Sequence, residues 1–333
     1  MSYALGLGLT NECNLSCGHC YRSQRGIQRL SLEQVRAVCE NLPLRTINLG
    51  TGENGLHPEF REMLRYLHGT DAKISLTSNG YTLNSLSEDE LRVFHDVELS
   101  LDFPTQGEQD AFRGWGSWRM TLDAQERCRH AGLMTTITAV LMNINYHRLV
   151  DLSRLAVSLG AALRVHVYQP VVTDAFTPSY AQFWEGFEQL FSESTVVACT
   201  EPLLQGLLGL DAIHGCGRTT VRVTPAGRVL PCVYWPLGSL GLNELRQLQG
   251  RVVETDLFRQ LRVIPIACRD CEYLAACGGG CPSRRALRGR LDQPDEYCPV
   301  VRGDGKQLLL RRGETQDRPK AGSACTTIVE GQA

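Results

Sequence analysis

Three cysteines stand close together near the start of the chain, at Cys13, Cys17 and Cys20. The spacing C-x3-C-x2-C places three thiolates on one short loop. A four-iron cubane cluster usually takes four cysteine ligands, so three would leave one iron open to a substrate or cofactor. The same loop could instead bind zinc as a Cys3His site completed by His19.

A second group of cysteines lies between residues 216 and 298. Its spacing is C-x10-G-x4-C, then C-x2-C-x5-C-x3-C, and then one further cysteine. Thiolates at such spacings bind iron–sulfur clusters or zinc, because C-x2-C pairs also form zinc ribbons. The residues are Cys216, Gly227, Cys232, Cys268, Cys271, Cys277, Cys281 and Cys298.

Three other cysteines are expected to have no role in chemistry. Cys39 lies on the apolar stripe of a predicted helix, and Cys128 lies in another apolar helical row. Both are predicted to be core thiols, since free buried cysteine behaves as a small hydrophobe. Cys325 lies in a segment without apolar periodicity, and a hydrogen-donor thiol is the alternative to no role.

The elements that must position these residues are strands that alternate with helices from Tyr3 to Pro170. This alternation predicts a parallel α/β sheet, either open and doubly wound or a partial barrel. Both architectures place chemistry at the carboxyl ends of the strands. The predicted strands are Ala4–Leu9, Thr46–Leu49, Lys73–Thr77, Val97–Leu101, Met134–Leu141 and Leu163–Tyr168.

The pattern changes near residue 192, where we place a domain boundary. Residues 1–192 form the predicted α/β domain, residues 193–302 a cysteine-rich domain, and residues 303–333 a loose tail. Before the boundary, a capping box at Ser31 and an apolar stripe from Tyr180 to Phe191 predict helices. After it, Val221–Val223 and Val229–Leu230 predict a hairpin.

Composition excludes several classes of protein. The chain has 333 residues, 43% of them hydrophobic, and 34 basic against 36 acidic residues, so no electrostatic footprint for nucleic acid or an anionic membrane is present. No apolar run is long enough to span a membrane, and the N-terminus does not resemble a signal peptide. We therefore expect the reducing cytoplasm, where clustered thiols indicate metal sites or catalysis.

The first cysteine loop resembles that of the radical S-adenosylmethionine (SAM) superfamily, which is C-x3-C-x2-C followed by an aromatic residue, here Tyr21. This resemblance implies a partial (β/α)6 barrel. It also implies that the amino and carboxylate groups of SAM chelate the open iron of a 4Fe–4S cluster. An electron from the cluster would then break the sulfonium C–S bond and yield a 5′-deoxyadenosyl radical.

The same resemblance extends to polar residues after the other strands. Gly50 to Asn54 resembles a G-G-E-P segment whose backbone and glutamate hold the SAM ammonium. The segments from Ser78 and Ser100 resemble T-N-G and S-x-D motifs, and Arg113 would pair with the SAM carboxylate. Judged singly, Glu53 could be a solvated loop acid and Arg113 a surface arginine. The cofactor-binding residues implied are Tyr21, Thr51, Gly52, Glu53, Ser78, Asn79, Ser100, Asp102, Arg113 and Asn143.

The second cysteine group resembles the SPASM domain of peptide-modifying radical enzymes, which carries two auxiliary 4Fe–4S clusters. The resemblance implies three clusters in all. The nearer auxiliary cluster would be bound by Cys216, Cys232 and Cys281, with Cys199, His214, an exogenous group, the substrate or nothing as its fourth ligand. The ligands implied for the farther cluster are Cys268, Cys271, Cys277 and Cys298.

The function implied is maturation of a ribosomally made precursor peptide through hydrogen abstraction, with a crosslink, thioether, epimerised centre or backbone excision as the product. Formation of formylglycine is disfavoured, because relatives that perform it carry an acidic residue where this chain has Val233. One alternative is an enzyme of haem, quinone or metal-cofactor biosynthesis. Another is a zinc-binding interaction module.

The expected partners follow from the same resemblance. They are the precursor peptide, a reductant such as flavodoxin or ferredoxin, and a separate leader-binding protein. The last is expected because the first strand begins by Tyr3, and the alternative is a long leader that the enzyme binds directly. The basic run from Arg284 to Arg290 is expected to be a solvated face, with contact to an acidic leader as the alternative.

Overall fold

The computed structural model describes residues 2–22, 26–210, 216–306, 308, 311–313 and 325–331. Within these residues twelve strands form a single sheet. The strands are β1 Tyr3–Leu7, β2 Leu44–Leu49, β3 Lys73–Ser78, β4 Asp96–Ser100, β5 Met134–Leu141, β6 Ala162–Val167, β7 Ser194–Cys199, β8 Thr220–Val223, β9 Arg228–Leu230, β10 Leu240–Gly241, β11 Arg311–Arg312 and β12 Thr327–Gly331.

Helices follow most of the strands, as the predicted alternation requires. The α-helices of the described residues are α1 Leu32–Asn41, α2 Phe60–His68, α3 Tyr81–Ser85, α4 Glu88–Leu91, α5 Gln106–Arg113, α6 Ser117–His130, α7 Leu149–Ser158, α8 Tyr180–Glu193, α9 Pro202–Leu207, α10 Leu242–Leu248, α11 Asp256–Arg259, α12 Leu274–Cys277 and α13 Pro282–Leu287. Three of them begin at a serine capping box, at Ser31 for α1, at Ser87 for α4 and at Ser179 for α8.

Strands β1 to β6 are parallel and lie side by side in chain order, which is the partial (β/α)6 barrel expected from the sequence. All six predicted strands are confirmed, and the bounds of β5 agree at both ends. Their apolar side chains are buried with those of the surrounding helices in one core. Parallel strands covered on both faces are apolar over nearly their whole length, which is why sequence patterns located them.

Strands from the part of the chain after residue 192, called the cysteine-rich half below, extend this sheet at both ends. The predicted hairpin is β8–β9, and β8 pairs in parallel with β1, from Ala4 opposite Thr220 to Leu7 opposite Val223. At the other end the order is β6, β12, β7 and β11. The sheet is therefore continuous across residue 192, and the division into domains at that position stays a prediction.

The prediction of a loose tail over residues 303–333 is wrong for Thr327–Gly331. This segment forms β12, which is antiparallel to both β6 and β7. Ile328 and Val329 are fully buried. The apolar run is too short to show a period, and a central strand buried on both faces shows none in any case.

No helix in the described part of the chain combines the length and the apolar composition that crossing a membrane requires.

Candidate active site

A cavity lies at the carboxyl ends of β1 to β6. The thiols of Cys13, Cys17 and Cys20, on the loop after β1, form part of its wall. Eight of the ten residues predicted to bind the cofactor also line it, which are Tyr21, Thr51, Gly52, Glu53, Ser78, Asn79, Ser100 and Arg113. The structure therefore brings together the cysteine loop and the polar ends of neighbouring strands.

The cysteine loop is held by hydrogen bonds to its own backbone and to the loop after β3. The backbone N–H of Leu15 donates to Cys13 Sγ at 3.4 Å, and Asn79 Nδ2 donates to the same sulfur at 3.6 Å. Burial raises the pKa of Cys13 to about 11. The thiol is therefore protonated at neutral pH without metal, and a metal that binds there must displace the proton.

The loop after β2 has a backbone conformation that requires glycine at position 52. Gly52 has a φ of 64°, and a Cβ there would lie 2.4 Å from the carbonyl oxygen of Glu12. Thr51 also has a positive φ of 75°, which is unusual for a β-branched residue. Its hydroxyl is hydrogen-bonded to the hydroxyl of Tyr21 at 2.9 Å and accepts a hydrogen bond from Arg222.

Glu53 is buried and joins this loop to the start of α3. Its Oε1 accepts hydrogen bonds from the Ser78 hydroxyl at 2.5 Å and from both the backbone N–H and the hydroxyl of Thr82. Its Oε2 accepts one hydrogen bond, from the backbone N–H of Asn79 at 3.0 Å. A carboxylate offers about four lone pairs, so Oε2 retains room for one more donor. The contact between Glu53 and the SAM ammonium stays a prediction.

Arg113 lines the cavity, and Asp102 holds it in place from behind. The Nε of Arg113 lies 2.6 Å from Asp102 Oδ2, and the other carboxylate oxygen accepts a hydrogen bond from the backbone of Val140 at 2.9 Å. His19 Nε2 also lies 3.5 Å from Asp102. Burial would lower the pKa of Arg113, but the charge of Asp102 raises it above its ordinary value.

Two of the residues predicted to contact the cofactor do not line the cavity. Asp102 is fully buried and does not line the cavity, and its carboxylate pairs with Arg113, which does. Asn143 also lies outside the cavity wall, and its side chain donates to the carbonyl oxygen of Ala175 at 2.9 Å. Residues just past a strand end can point away from the cavity, which the motif alone does not show.

Polar side chains inside the strands also line the cavity, and the search of strand ends missed them. Asn48 donates to the hydroxyl of Thr77 at 3.3 Å, and Thr77 donates to Glu98 at 2.9 Å. Arg164 forms an ion pair with Glu98 at 3.1 Å. A polar residue within an apolar strand of a parallel sheet is the sequence signal that could have identified them. Other lining residues of this kind are Thr138, His166 and Arg222.

All four cysteines predicted to bind the farther auxiliary cluster line one cavity. Cys268 lies before α12, Cys277 ends it, and Cys298 follows the loop that carries Asp295. The rest of the wall is largely apolar, with side chains such as Leu203 and Leu274. The residues are Cys268, Cys271, Cys277 and Cys298.

A second small cavity contains Cys216, Cys232 and Cys281, the three cysteines predicted for the nearer auxiliary cluster. Cys325, for which no role was expected, lines it as well. Cys199 does not line it, and its thiol lies 3.4 Å from the hydroxyl of Thr327. His214, another candidate fourth ligand, lies outside the described residues. The cavity shares Gln169 and Tyr234 with the main cavity.

All fourteen cysteines are free thiols. Among the described residues, no three or more His, Cys, Asp or Glu side chains are gathered closely enough to hold one metal ion. In a four-iron cubane each thiolate binds a different iron. Thiols spread around the wall of a cavity therefore suit the binding of a cubane better than the binding of a single metal ion.

Two other cysteines lie in the core. Cys128 is fully buried and Cys39 packs against the core, as predicted for these two thiols.

Three thiols after the first strand of a parallel partial barrel are the arrangement of radical SAM enzymes. The model of the radical SAM superfamily matches residues 7–156. Enzymes of this superfamily use SAM and a 4Fe–4S cluster, and the cavity offers the three thiolates and the polar wall that such a pair requires.

More specific relatives agree with this class. Mycofactocin maturase MftC from Mycobacterium tuberculosis (strain ATCC 25618 / H37Rv) is 30% identical over 94% of this chain and 86% of its own. The chain therefore belongs to the radical SAM superfamily and is an enzyme of that class. PqqA peptide cyclase from Rhizobium meliloti (strain 1021) is 24% identical over 87% of this chain and 85% of its own.

The fold is also that of a solved structure, SuiB from Streptococcus suis bound to S-adenosylmethionine. The TM-score is 0.70 at 16% identity, over 90% of this chain and 77% of SuiB. SuiB has also been solved bound to the precursor peptide SuiA.

Proposed function

We propose that the enzyme modifies a ribosomally made precursor peptide by abstracting a hydrogen atom from one of its residues. The observation that carries this proposal is the similarity to MftC, which extends over both the barrel and the cysteine-rich half. PqqA peptide cyclase, a relative over nearly the same span, acts by its name on a peptide, and SuiB binds one. The product is a crosslink, thioether, epimerised centre or backbone excision.

The residues of the cavity have separate tasks in this reaction. Cys13, Cys17 and Cys20 would hold three irons of the 4Fe–4S cluster, and the donors around Cys13 orient its sulfur. Arg113, fixed by Asp102, presents a cation to the carboxylate of SAM. When bound, the cluster and SAM supply the radical that abstracts hydrogen. The buried polar wall holds the reacting groups in position and excludes bulk water.

We further propose that the cysteine-rich half binds two auxiliary 4Fe–4S clusters, which gives three clusters in all. Support comes from the two separate cavities, each lined by the cysteines that the SPASM resemblance assigns to one cluster. The nearer site shares the side chains of Gln169 and Tyr234 with the main cavity. That proximity suits an auxiliary cluster which exchanges electrons with the reacting centre.

The test uses enzyme reconstituted with iron and sulfide without oxygen. It is mixed with SAM, dithionite and the short peptide encoded beside the enzyme, and the products are analysed by mass spectrometry. We expect 5′-deoxyadenosine together with a peptide of altered mass or altered stereochemistry. Unmodified peptide, with turnover on a porphyrin or a pterin instead, would show that the substrate is a small molecule.

The matched control replaces Cys13, Cys17 and Cys20 with alanine. The triple variant should form no 5′-deoxyadenosine but keep its auxiliary iron, because the other cluster cysteines line separate cavities. Continued formation of 5′-deoxyadenosine would refute the assignment of the cysteine loop.

Two protein partners and a location belong to the same proposal. Radical formation consumes one electron, so a one-electron donor such as flavodoxin or ferredoxin is required. We also propose that a separate protein binds the leader of the precursor peptide. Free thiols in such number favour the reducing cytoplasm.

A further inference from the structure

The cavity of the nearer auxiliary site has four thiols in its wall rather than three. The sequence motif supplies Cys216, Cys232 and Cys281, and Cys325 is the fourth. The sulfur of Cys325 lies 3.8 Å from that of Cys216. Cys325 therefore contacts one cysteine of the motif and lines the same cavity as the other two, although it is far from all three in sequence.

Regular structure fixes the position of Cys325. The backbone N–H of Thr200 donates to the carbonyl oxygen of the next residue, Thr326, and the backbone N–H of Thr326 donates to the Thr200 hydroxyl. Strand β12 follows at once between β6 and β7. The carbonyl oxygen of Cys325 also lies 3.1 Å from the Nδ1 of His166, a residue that lines the main cavity. A ligand held next to a buried strand is more precisely placed than one on a free tail.

Cys199 is the other cysteine in this region, and its surroundings differ. It is buried at the end of β7, where its thiol contacts the hydroxyl of Thr327 at 3.4 Å and the carbonyl oxygen of Glu201 at 3.8 Å. It does not line the cavity. Cys325 is thus the thiol that the fold directs to the three cysteines of the motif.

We propose that Cys325 is the fourth thiolate ligand of the nearer auxiliary cluster. The inference rests on the proposed function, because it assumes that the site binds a 4Fe–4S cluster. With four protein thiolates every iron is ligated, and each thiol loses its proton as iron binds. The substrate peptide then does not coordinate this cluster, and the open iron of the enzyme is the one near Cys13, Cys17 and Cys20.

The test compares Cys325→Ala with the matched variant Cys199→Ala. Both are made in the full-length triple variant that lacks the three cysteines of the SAM loop, so that only auxiliary clusters contribute. Iron is measured after anaerobic reconstitution. Electron paramagnetic resonance spectra of the dithionite-reduced protein are recorded with and without imidazole, which binds an open iron.

The parent and Cys199→Ala should each hold about eight irons, four for each cubane. Their electron paramagnetic resonance spectra should not change when imidazole is added. The iron content of the Cys325→Ala variant should fall to about four, or its spectrum should shift when imidazole is added. The inference is overturned if Cys325→Ala matches Cys199→Ala in iron and spectrum, or if imidazole already shifts the spectrum of the parent. None of these measurements needs SAM turnover or the peptide. A negative result would therefore overturn the role of Cys325 without overturning the proposed function.

A second measurement uses the native sequence and does not depend on a folded variant. Holoenzyme is treated with iodoacetamide before and after removal of iron by a chelator, and the modified cysteines are mapped by mass spectrometry. We expect Cys325 to be protected until iron is removed, together with Cys216. Alkylation of Cys325 in the holoenzyme, or a Cys216–Cys325 disulfide in it, would overturn the inference.

Discussion

A buried charge network holds the cysteine-rich half together, and its removal gives a quantitative prediction. The guanidinium of Arg284 lies 2.6 Å from Asp295 and 2.8 Å from Glu201, with all three side chains no more than 2% exposed. Asp295 also accepts hydrogen bonds from the backbone of Cys281 at 2.7 Å and of Tyr297 at 3.1 Å. Asp295 therefore connects Arg284 to the backbone of a predicted cluster ligand.

The perturbation is Asp295→Asn, which keeps the shape of the side chain and removes its charge. Breaking a buried ion pair costs about 3–5 kcal/mol, and we take about 3 kcal/mol because Glu201 still neutralises Arg284. With an unfolding entropy of about 2.1 cal/mol/K per residue, a chain of 333 residues has about 0.7 kcal/mol/K. The midpoint of thermal unfolding should therefore fall by roughly 4 °C.

The assay is anaerobic calorimetry of the holoenzyme, with iron content as a second readout. The matched control is Glu296→Gln, one residue away. Its partner Arg288 lies 3.3 Å from it, and the two side chains are 32% and 27% exposed. Such a pair contributes about 0–1 kcal/mol, so the midpoint should move by roughly 1 °C or less. Equal shifts for the two variants would refute the assignment of the buried network.

Three further substitutions test individual contacts. Asp102→Asn releases Arg113 and should weaken SAM binding about tenfold in equilibrium dialysis, so an unchanged dissociation constant would contradict the positioning role. Gly52→Ala places a Cβ 2.4 Å from a carbonyl oxygen and should abolish 5′-deoxyadenosine formation, whereas an active variant would show that the loop relaxes. The Cys128→Ser variant should keep all of its iron but lose about 1–3 kcal/mol of folding stability, because the new serine hydroxyl would be buried in the core. Loss of iron would mean that Cys128 is a ligand.

The sequence predicted the barrel and the cysteine groups for different physical reasons. Strands β1 to β6 were found because a parallel sheet buried on both faces leaves nearly continuous apolar runs. The cysteine groups were found because cysteines at short spacings are typical of loops that bind clusters or zinc. Both signals are local, so no knowledge of distant contacts was needed.

Features that depend on long-range pairing were missed. Arg284 and Arg285 look like part of a solvated basic run, yet both are 2% exposed because partners far along the chain neutralise or hydrogen-bond them. The pairing of Asp102 with Arg113 was not predicted, because a strand-end motif does not show which way the side chain points. Cys325 gave no signal because the strand that positions it pairs with β6 and β7, far away in sequence.

The continuity of the sheet has a consequence for how the cluster sites are placed relative to each other. The cysteine-rich half is joined to β1 through β8 and to β6 through β12, by backbone ladders at both ends of the barrel. A movement of this half as a separate body would break both ladders and expose their unpaired backbone groups. The side chains of Tyr21 and Tyr234 also meet edge to face at 5.3 Å between the two cavities. The separation between the main cavity and the cavity lined by Cys216, Cys232, Cys281 and Cys325 is therefore fixed by the fold rather than by a linker.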